Sequence, residues 1–272
     1  MPQAIEFAIN RMSAPRMPFA EFAAMSQRLG VGAIEIRNDL AGVEINDGAS
    51  ASSIKAIAAG HGLTIRSINA LQRFEQYDAS REREALALAR YAQGCGAEAL
   101  VLCPTNSLHD SRDAAKRHAD LVHALTHLKP LLQDHGLRGL IEALGFEECA
   151  VRRKSQAVHA MKELGDTQTF RLVHDTFHHH LAGEDLFFPE LTGLVHISGV
   201  EDGALSSAQM RDPHRVLVGA ADRLGNAAQL RRLLDAGYAG YASFEPFAEE
   251  IASAPDIEQR LRDSMAYLSA TV

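Results

Sequence analysis

Cysteine is scarce in this sequence, and the few present are arranged for neither cross-linking nor metal. Cys95, Cys103 and Cys149 are odd in number and show no Cys-x-x-Cys spacing. That excludes a disulfide framework and a thiolate zinc site, and favours a reducing compartment. Basic runs are also lacking. The 27 Lys and Arg are outweighed by 35 Asp and Glu, for a formal net charge of −8, so the clustered cations that neutralise phosphates are missing and no nucleic-acid partner is expected. No apolar stretch approaches the roughly 20 residues of a membrane helix. Met1 to Arg16 has no apolar core between a charged start and a small-residue cleavage site, so a cytoplasmic protein without membrane contact is expected. There is no Pro-, Gly- or Ser-rich linker and no low-complexity tract. One domain over residues 1–272 is the expectation, in a chain long enough to bury a sizeable core.

What is present is a repeated rhythm. A helical pattern ends at glycine, a few residues pass, and a short apolar run follows. Phe19 to Leu29 ends at Gly30, before Ala33 to Arg37. Ser53 to His61 ends at Gly62, before Leu63 to Asn69, and Glu82 to Gln93 ends at Gly94 and Gly96, before Ala99 to Cys103. Arg112 to Asp134 precedes Gly139 to Glu142, Gln156 to Leu164 precedes Phe170 to Asp175, and Ala227 to Ala236 precedes Tyr241 to Glu245. Ala4 to Ile9 and Leu194 to Ile197 complete eight strands, and Ile257 to Ala270 forms a closing helix. Short runs that are apolar on both faces suit parallel strands covered by helices. Eight β/α units in this length are what a (β/α)8 TIM barrel requires. An open doubly wound sheet competes, but no Gly-x-Gly-x-x-Gly follows the first strand.

In such a barrel chemistry gathers at the carboxyl ends of the strands. Asn10, Arg37, Asn69, Cys103, Glu142, Asp175, His196 and Glu245 stand there. Strands five to eight end in Glu142, Asp175, His196 and Glu245. Four ionisable groups converging on one mouth need a cation to neutralise them. A set rich in oxygen with one imidazole suits one divalent metal, Mn²⁺, Mg²⁺, Co²⁺ or Zn²⁺. Asp175 opens the run Asp175-Thr176-Phe177-His178-His179-His180, which the pattern places where a strand gives way to a loop.

These residues resemble the xylose-isomerase-like barrels of the sugar isomerase/epimerase superfamily, and within them the inosose (2-keto-myo-inositol) isomerases. The likeness is carried by Ile34-Glu35-Ile36-Arg37, Asn69-Ala70-Leu71, Glu142 with Gly145 and Cys149-Ala150-Val151 downstream, the Asp-Thr-Phe-His-x-His run, His196-Ile197 and Phe244-Glu245. The resemblance implies that Glu142, Asp175, His196 and Glu245 bind one divalent metal. It implies that His178 lies beside the substrate, that Asn10, Arg37 and Asn69 face the same pocket, and that His180 also belongs to it, with His179 a loop residue. Two departures stand out. The Pro-Gly-x-Gly segment common before the eighth strand is reduced to one glycine in Arg215 to Asp222, and Asp202 stands where many members carry an arginine beyond the metal histidine. Arg215 is the available substitute, and Glu148 occupies the position of a glutamate used by epimerases.

The activity this implies is movement of an inosose ketone to the adjacent carbon through an enediolate. Glu142 and Glu245 are then the candidate bases and His178 a donor, and the partner is a small cyclitol or sugar. The same site also accommodates an inosose or 3-dehydroshikimate dehydratase or a ketose 3-epimerase. A nuclease of this fold would need a basic groove and further metal ligands, and a non-catalytic sugar-binding barrel would need no metal. Whether the chain is a monomer or a homo-oligomer stays open.

Overall fold

The computed structural model describes residues 4–272; residues 1–3, the start of the stretch read above for a leader, lie outside them. Eight strands form a closed barrel in chain order. They are β1 (Glu6–Asn10), β2 (Ala33–Arg37), β3 (Thr64–Gln72), β4 (Ala99–Cys103), β5 (Arg138–Glu142), β6 (Phe170–Asp175), β7 (Thr192–Ile197) and β8 (Tyr241–Phe244). Every pairing is parallel, and Ile9 of β1 aligns with Phe244 of β8 to close the ring. The barrel inferred from eight β/α repeats is therefore the architecture observed.

Around it run α1 (Phe19–Leu29), α2 (Ala51–Gly60), α3 (Ala79–Cys95), α4 (Ala114–Asp134), α5 (Lys154–Leu164), α6 (Thr176–Ala182), α7 (Asn226–Asp235), α8 (Glu249–Ala252) and α9 (Ile257–Thr271). Local chemistry sets their ends. Asp78 and Asp113 accept hydrogen bonds from the first backbone N–H groups of α3 and α4, as N-caps do. Gly30 and Gly96 close α1 and α3 with φ of 75° and 78°, left-handed values that cost glycine nothing. Among the described residues no helix is long and apolar enough to cross a membrane.

Strand alternation sorts the core into two compartments. Ile34, Ile36, Leu100, Leu102, Ile141 and Leu172 pack outward into the layer shared with the helices. Val101, Cys103, Leu140, Val173 and Leu194 meet in a smaller cluster inside the barrel. The apolar plug fills the interior below, so polar side chains on the same inward register are held at the carboxyl end.

Candidate metal centre

Glu142 ends β5, Asp175 ends β6, His196 lies in β7 and Glu245 follows β8. One donor atom from each comes within 4.8 Å of the others, and all four residues are buried. His196 Nδ1 is 2.9 Å from Glu142 Oε1 and 3.2 Å from Glu245 Oε2. Asp175 also caps α6: its Oδ1 accepts from the backbone N–H of Phe177 at 2.8 Å and of His178 at 3.0 Å. Its other oxygen, Oδ2, accepts from Arg215 Nη2 at 2.6 Å. The histidine run is thus a short helix rather than the expected loop, because the aspartate at the end of β6 satisfies that helix's first donors.

Glu35 lies directly beneath. It is fully buried in the middle of β2 and accepts hydrogen bonds from the Ser67 and Ser243 hydroxyls, Asn69 Nδ2 and Asn10 Nδ2. His196 Nε2 is 3.1 Å from Glu35 Oε2, which places the imidazole proton on Nε2 and leaves Nδ1 facing the other donors. Burial alone would raise the Glu35 carboxyl; the adjoining His196 and the Ser243 hydroxyl overcome it and hold it at about 2. Glu35 was not singled out from the sequence, although an acid between two isoleucines of a buried strand was the available signal.

The electrostatics fit a divalent cation. Glu35, Glu142, Asp175 and Glu245 are buried, with only the guanidiniums of Arg37 and Arg215 buried among them. Four carboxylates against two guanidiniums leave an excess of two negative charges when His196 is neutral. Burial disfavours the His196 imidazolium, but Glu245, Glu35 and Glu142 together drive its protonation well above the ordinary histidine range. The cluster therefore draws in positive charge, and a metal ion would replace that proton. Glu245 is held well below the carboxylate range: against the burial penalty, His196, Arg37 and Arg215 all stabilise its anion. Cys103 goes the other way. Burial and then the Glu142 carboxylate keep its thiol protonated, and Sγ donates to Glu142 Oε2 at 3.3 Å.

A cavity of about 500 Å³ opens over the cluster, lined in part by Arg37, Asn69, Glu142, His178, Arg215 and Glu245. His178 is 4% exposed, and its Nδ1 has no hydrogen-bond partner among the described residues. Gly145 lets α6 approach this closely, since a Cβ there would run into the His178 carbonyl oxygen. Arg37 Nη1 donates to Glu245 Oε1 at 2.6 Å. Arg215, its guanidinium carbon 4.6 Å from the centroid of the Phe247 ring, donates to both Asp175 and Glu245.

Three residues expected in the pocket sit elsewhere, and a fourth differs from its expected role. Asn10 is buried below the floor, donating to Glu35 and Glu245 at 3.3 and 3.2 Å. His180 turns to Ser207, 3.1 Å away, because two residues along a helix reverse the facing direction from His178. Glu148 lines a separate cavity with Gly145, Arg152 and Arg211. His179, expected to be a loop residue, lies on α6 with its ring 4.7 Å from that of His174 and 4.5 Å from that of Phe187.

Behind α6 lies an unusual lysine. Lys154 is 4% exposed, and its Nζ donates to His174 Nδ1 at 2.6 Å. His174 Nε2 donates in turn to Gln229 Oε1 at 2.9 Å, an amide whose orientation is fixed by its own bonds to the Thr176 and Leu224 carbonyls. Burial lowers the Lys154 ammonium to about 7, only partly countered by Glu184. The unfolded chain therefore binds this proton more tightly than the folded one between about pH 7 and the unfolded pKa near 10.4, and stability from this group rises with pH across that window. Comparing wild type with Lys154→Met by urea unfolding, the difference is expected to move in favour of wild type by about 2–4 kcal/mol from pH 6.5 to pH 10. A difference independent of pH would show that the ammonium is not destabilised in the fold.

Comparison with known proteins agrees with this architecture. Residues 23–271 match the family model described as xylose isomerase-like TIM barrel. An inosose isomerase of Bacillus licheniformis is 30% identical over 137 residues, a match that spans 48% of this chain and 48% of that protein. The crystal structure of a xylose isomerase domain-containing protein from Salmonella typhimurium LT2 superposes with a TM-score of 0.90, 32% identity and 98% coverage of both chains. The IolI protein, crystallised with a zinc atom, superposes with a TM-score of 0.85 over 98% of this chain and 99% of its own, at 19% identity.

Proposed function

We propose, because this chain belongs to the xylose isomerase-like TIM barrel family, that it is a divalent-metal-dependent isomerase that moves the ketone of an inosose to the adjacent carbon. The observation that carries this reading is the buried, net-negative set of Glu142, Asp175, His196 and Glu245 at the floor of a cavity large enough for a cyclitol. The partial match to an inosose isomerase supports the substrate class, and the zinc in the IolI structure supports a cation at such a floor.

Glu142, Asp175, His196 and Glu245 would hold the ion. When bound, it would polarise the ketone oxygen and offset the negative charge that develops beside it. The remaining work falls to the protein. A base must take the proton from the hydroxyl-bearing carbon next to the ketone and return it to the former carbonyl carbon, with an enediolate between the two steps, while the hydroxyl proton passes from the new carbonyl oxygen to the old one. Glu142 is the better poised of the two glutamates: among the described residues its Oε2 is hydrogen-bonded only by the Cys103 thiol. Both Glu245 oxygens already receive bonds, from Arg37 and Asn10 on one side and Arg215 on the other. His178 presents an imidazole to the cavity wall and can donate to a ring hydroxyl or to the enediolate oxygen. Arg37 and Asn69 line the same wall and orient the polyol.

The test is incubation of metal-reconstituted protein with 2-keto-myo-inositol in deuterated water, followed by NMR. Deuterium entering the ring together with a new ketone signal is the expected result. Loss of water with a conjugated chromophore would replace isomerisation with dehydration on the same site. Absence of any exchange would overturn both.

A further inference from the structure

One other group of donors among the described residues is close enough to share an ion, and it lies on the outer surface away from the barrel mouth: His118, His159 and Glu163. His118 projects from α4; His159 and Glu163 are four residues apart on α5, so both project from one side of that helix toward it. His118 Nε2 is 2.7 Å from Glu163 Oε2. The two imidazoles stack with centroids 4.6 Å apart and an interplanar angle of 21°. One donor atom from each residue lies within 4.8 Å of the other two. An ion with bonds of about 2.0–2.2 Å needs donors roughly 3–4 Å apart, so small side-chain rotations complete the triangle.

The geometry points to a peripheral site for a borderline transition-metal ion, with Zn²⁺ the best match, held by His118, His159 and Glu163 and clamping α4 to α5. The donor chemistry separates it from the barrel mouth. Two imidazoles and one carboxylate favour Zn²⁺, Co²⁺, Ni²⁺ or Cu²⁺ and disfavour Mg²⁺ and Ca²⁺, which want oxygen. The mouth offers three carboxylates and one imidazole. His159 and Glu163 are exposed and His118 is half-buried, so the fourth coordination position is open to water. No residue of the proposed catalytic set takes part, and the inference stands apart from the reaction assigned above.

The test uses the full chain, stripped of metal and dialysed against micromolar free Zn²⁺ or, separately, Mg²⁺, with metal content read by elemental analysis. Wild type is expected to retain a second equivalent of Zn²⁺ but not of Mg²⁺. His159→Ala should lose that second equivalent and keep the first, with its turnover unchanged. With Co²⁺, the visible bands of the second equivalent should disappear in the same variant. A control removes a histidine pair that lies wholly on α4, His123 and His127, whose rings lie 4.2 Å apart; His123→Ala/His127→Ala should retain both equivalents. Binding in wild type that stops at one Zn²⁺, retention of both by His159→Ala, or loss of the second in the control would each overturn the site.

Discussion

Glu142→Gln is expected to slow deuterium exchange into the substrate by about 10²–10⁴-fold, the range typical of a positioned general base. The amide preserves shape and nearly all packing, so the fold should persist, as read by circular dichroism and the thermal midpoint. What disappears is the basicity of the carboxylate, since an amide oxygen does not take up a carbon-bound proton, at the position where Cys103 Sγ donates to Oε2. Glu245→Gln should also lose activity, but by another route. Its carboxylate is the shared counterion of Arg37 and Arg215; once it is neutral, Arg37 keeps Asp39 and Arg215 keeps Asp175, but the charge that offsets both guanidiniums at the floor is lost and they oppose a cation there more strongly. Metal content therefore separates the two variants: Glu142→Gln should keep more of its metal than Glu245→Gln. Near-normal exchange in Glu142→Gln would remove Glu142 from the role of base.

The second large effect concerns a residue that touches neither the cavity nor the proposed ion. Glu35→Gln should weaken metal binding by about 10–100-fold, the usual consequence of disturbing the partner that orients a ligating histidine. Glu35 accepts the His196 Nε2–H, and so fixes both the tautomer and the ring plane that present Nδ1 to Glu142 and Glu245. A glutamine at that place supplies one acceptor oxygen where the carboxylate supplied two, and its NH2 group faces either Ser67, Asn69 and the imidazole or Ser243 and Asn10. The hydroxyls can rotate to accommodate it; the Asn69 amide and the imidazole cannot both do so. Competition against a chromophoric chelator reads the affinity directly. An unchanged affinity would mean that His196 is oriented by its strand alone.

Much of this was readable from the chain. Phe19–Leu29, Ala33–Arg37, Ala99–Cys103 and Phe170–Asp175 form where their periodicity and bounding glycines place them, because these signals are local. The convergence of Glu142, Asp175, His196 and Glu245 also followed from one local regularity, an acid or imidazole closing each of four successive apolar strands. What could not be read was facing direction within an element whose type was unknown. Once His178 is on a helix, His180 must point away from the cavity, whereas a loop would have left it free. Glu35 fails in the opposite sense: with Arg37 expected to face the pocket, the two-residue period of a strand already sends Glu35 inward. Its partners, Ser67, Asn69 and Ser243, come from strands far away in sequence, and no local pattern announces them.

Closure of the barrel between β1 and β8 has a consequence for how the protein is made. The proposed ligands enter the chain at residues 142, 175, 196 and 245, and the last follows the strand that seals the ring against β1. At a synthesis rate of about 5–20 residues per second, Glu142 leaves the peptidyl-transferase centre roughly 5–20 s before Glu245. During that interval the growing chain goes from one to three of the four donors but has no enclosed mouth. Arg215 is synthesised after Asp175 but before Glu245, so the cation that shields Asp175 precedes the final carboxylate. Loading of the proposed ion would therefore be an event of the finished barrel, and free metal during translation should govern occupancy less than free metal after release.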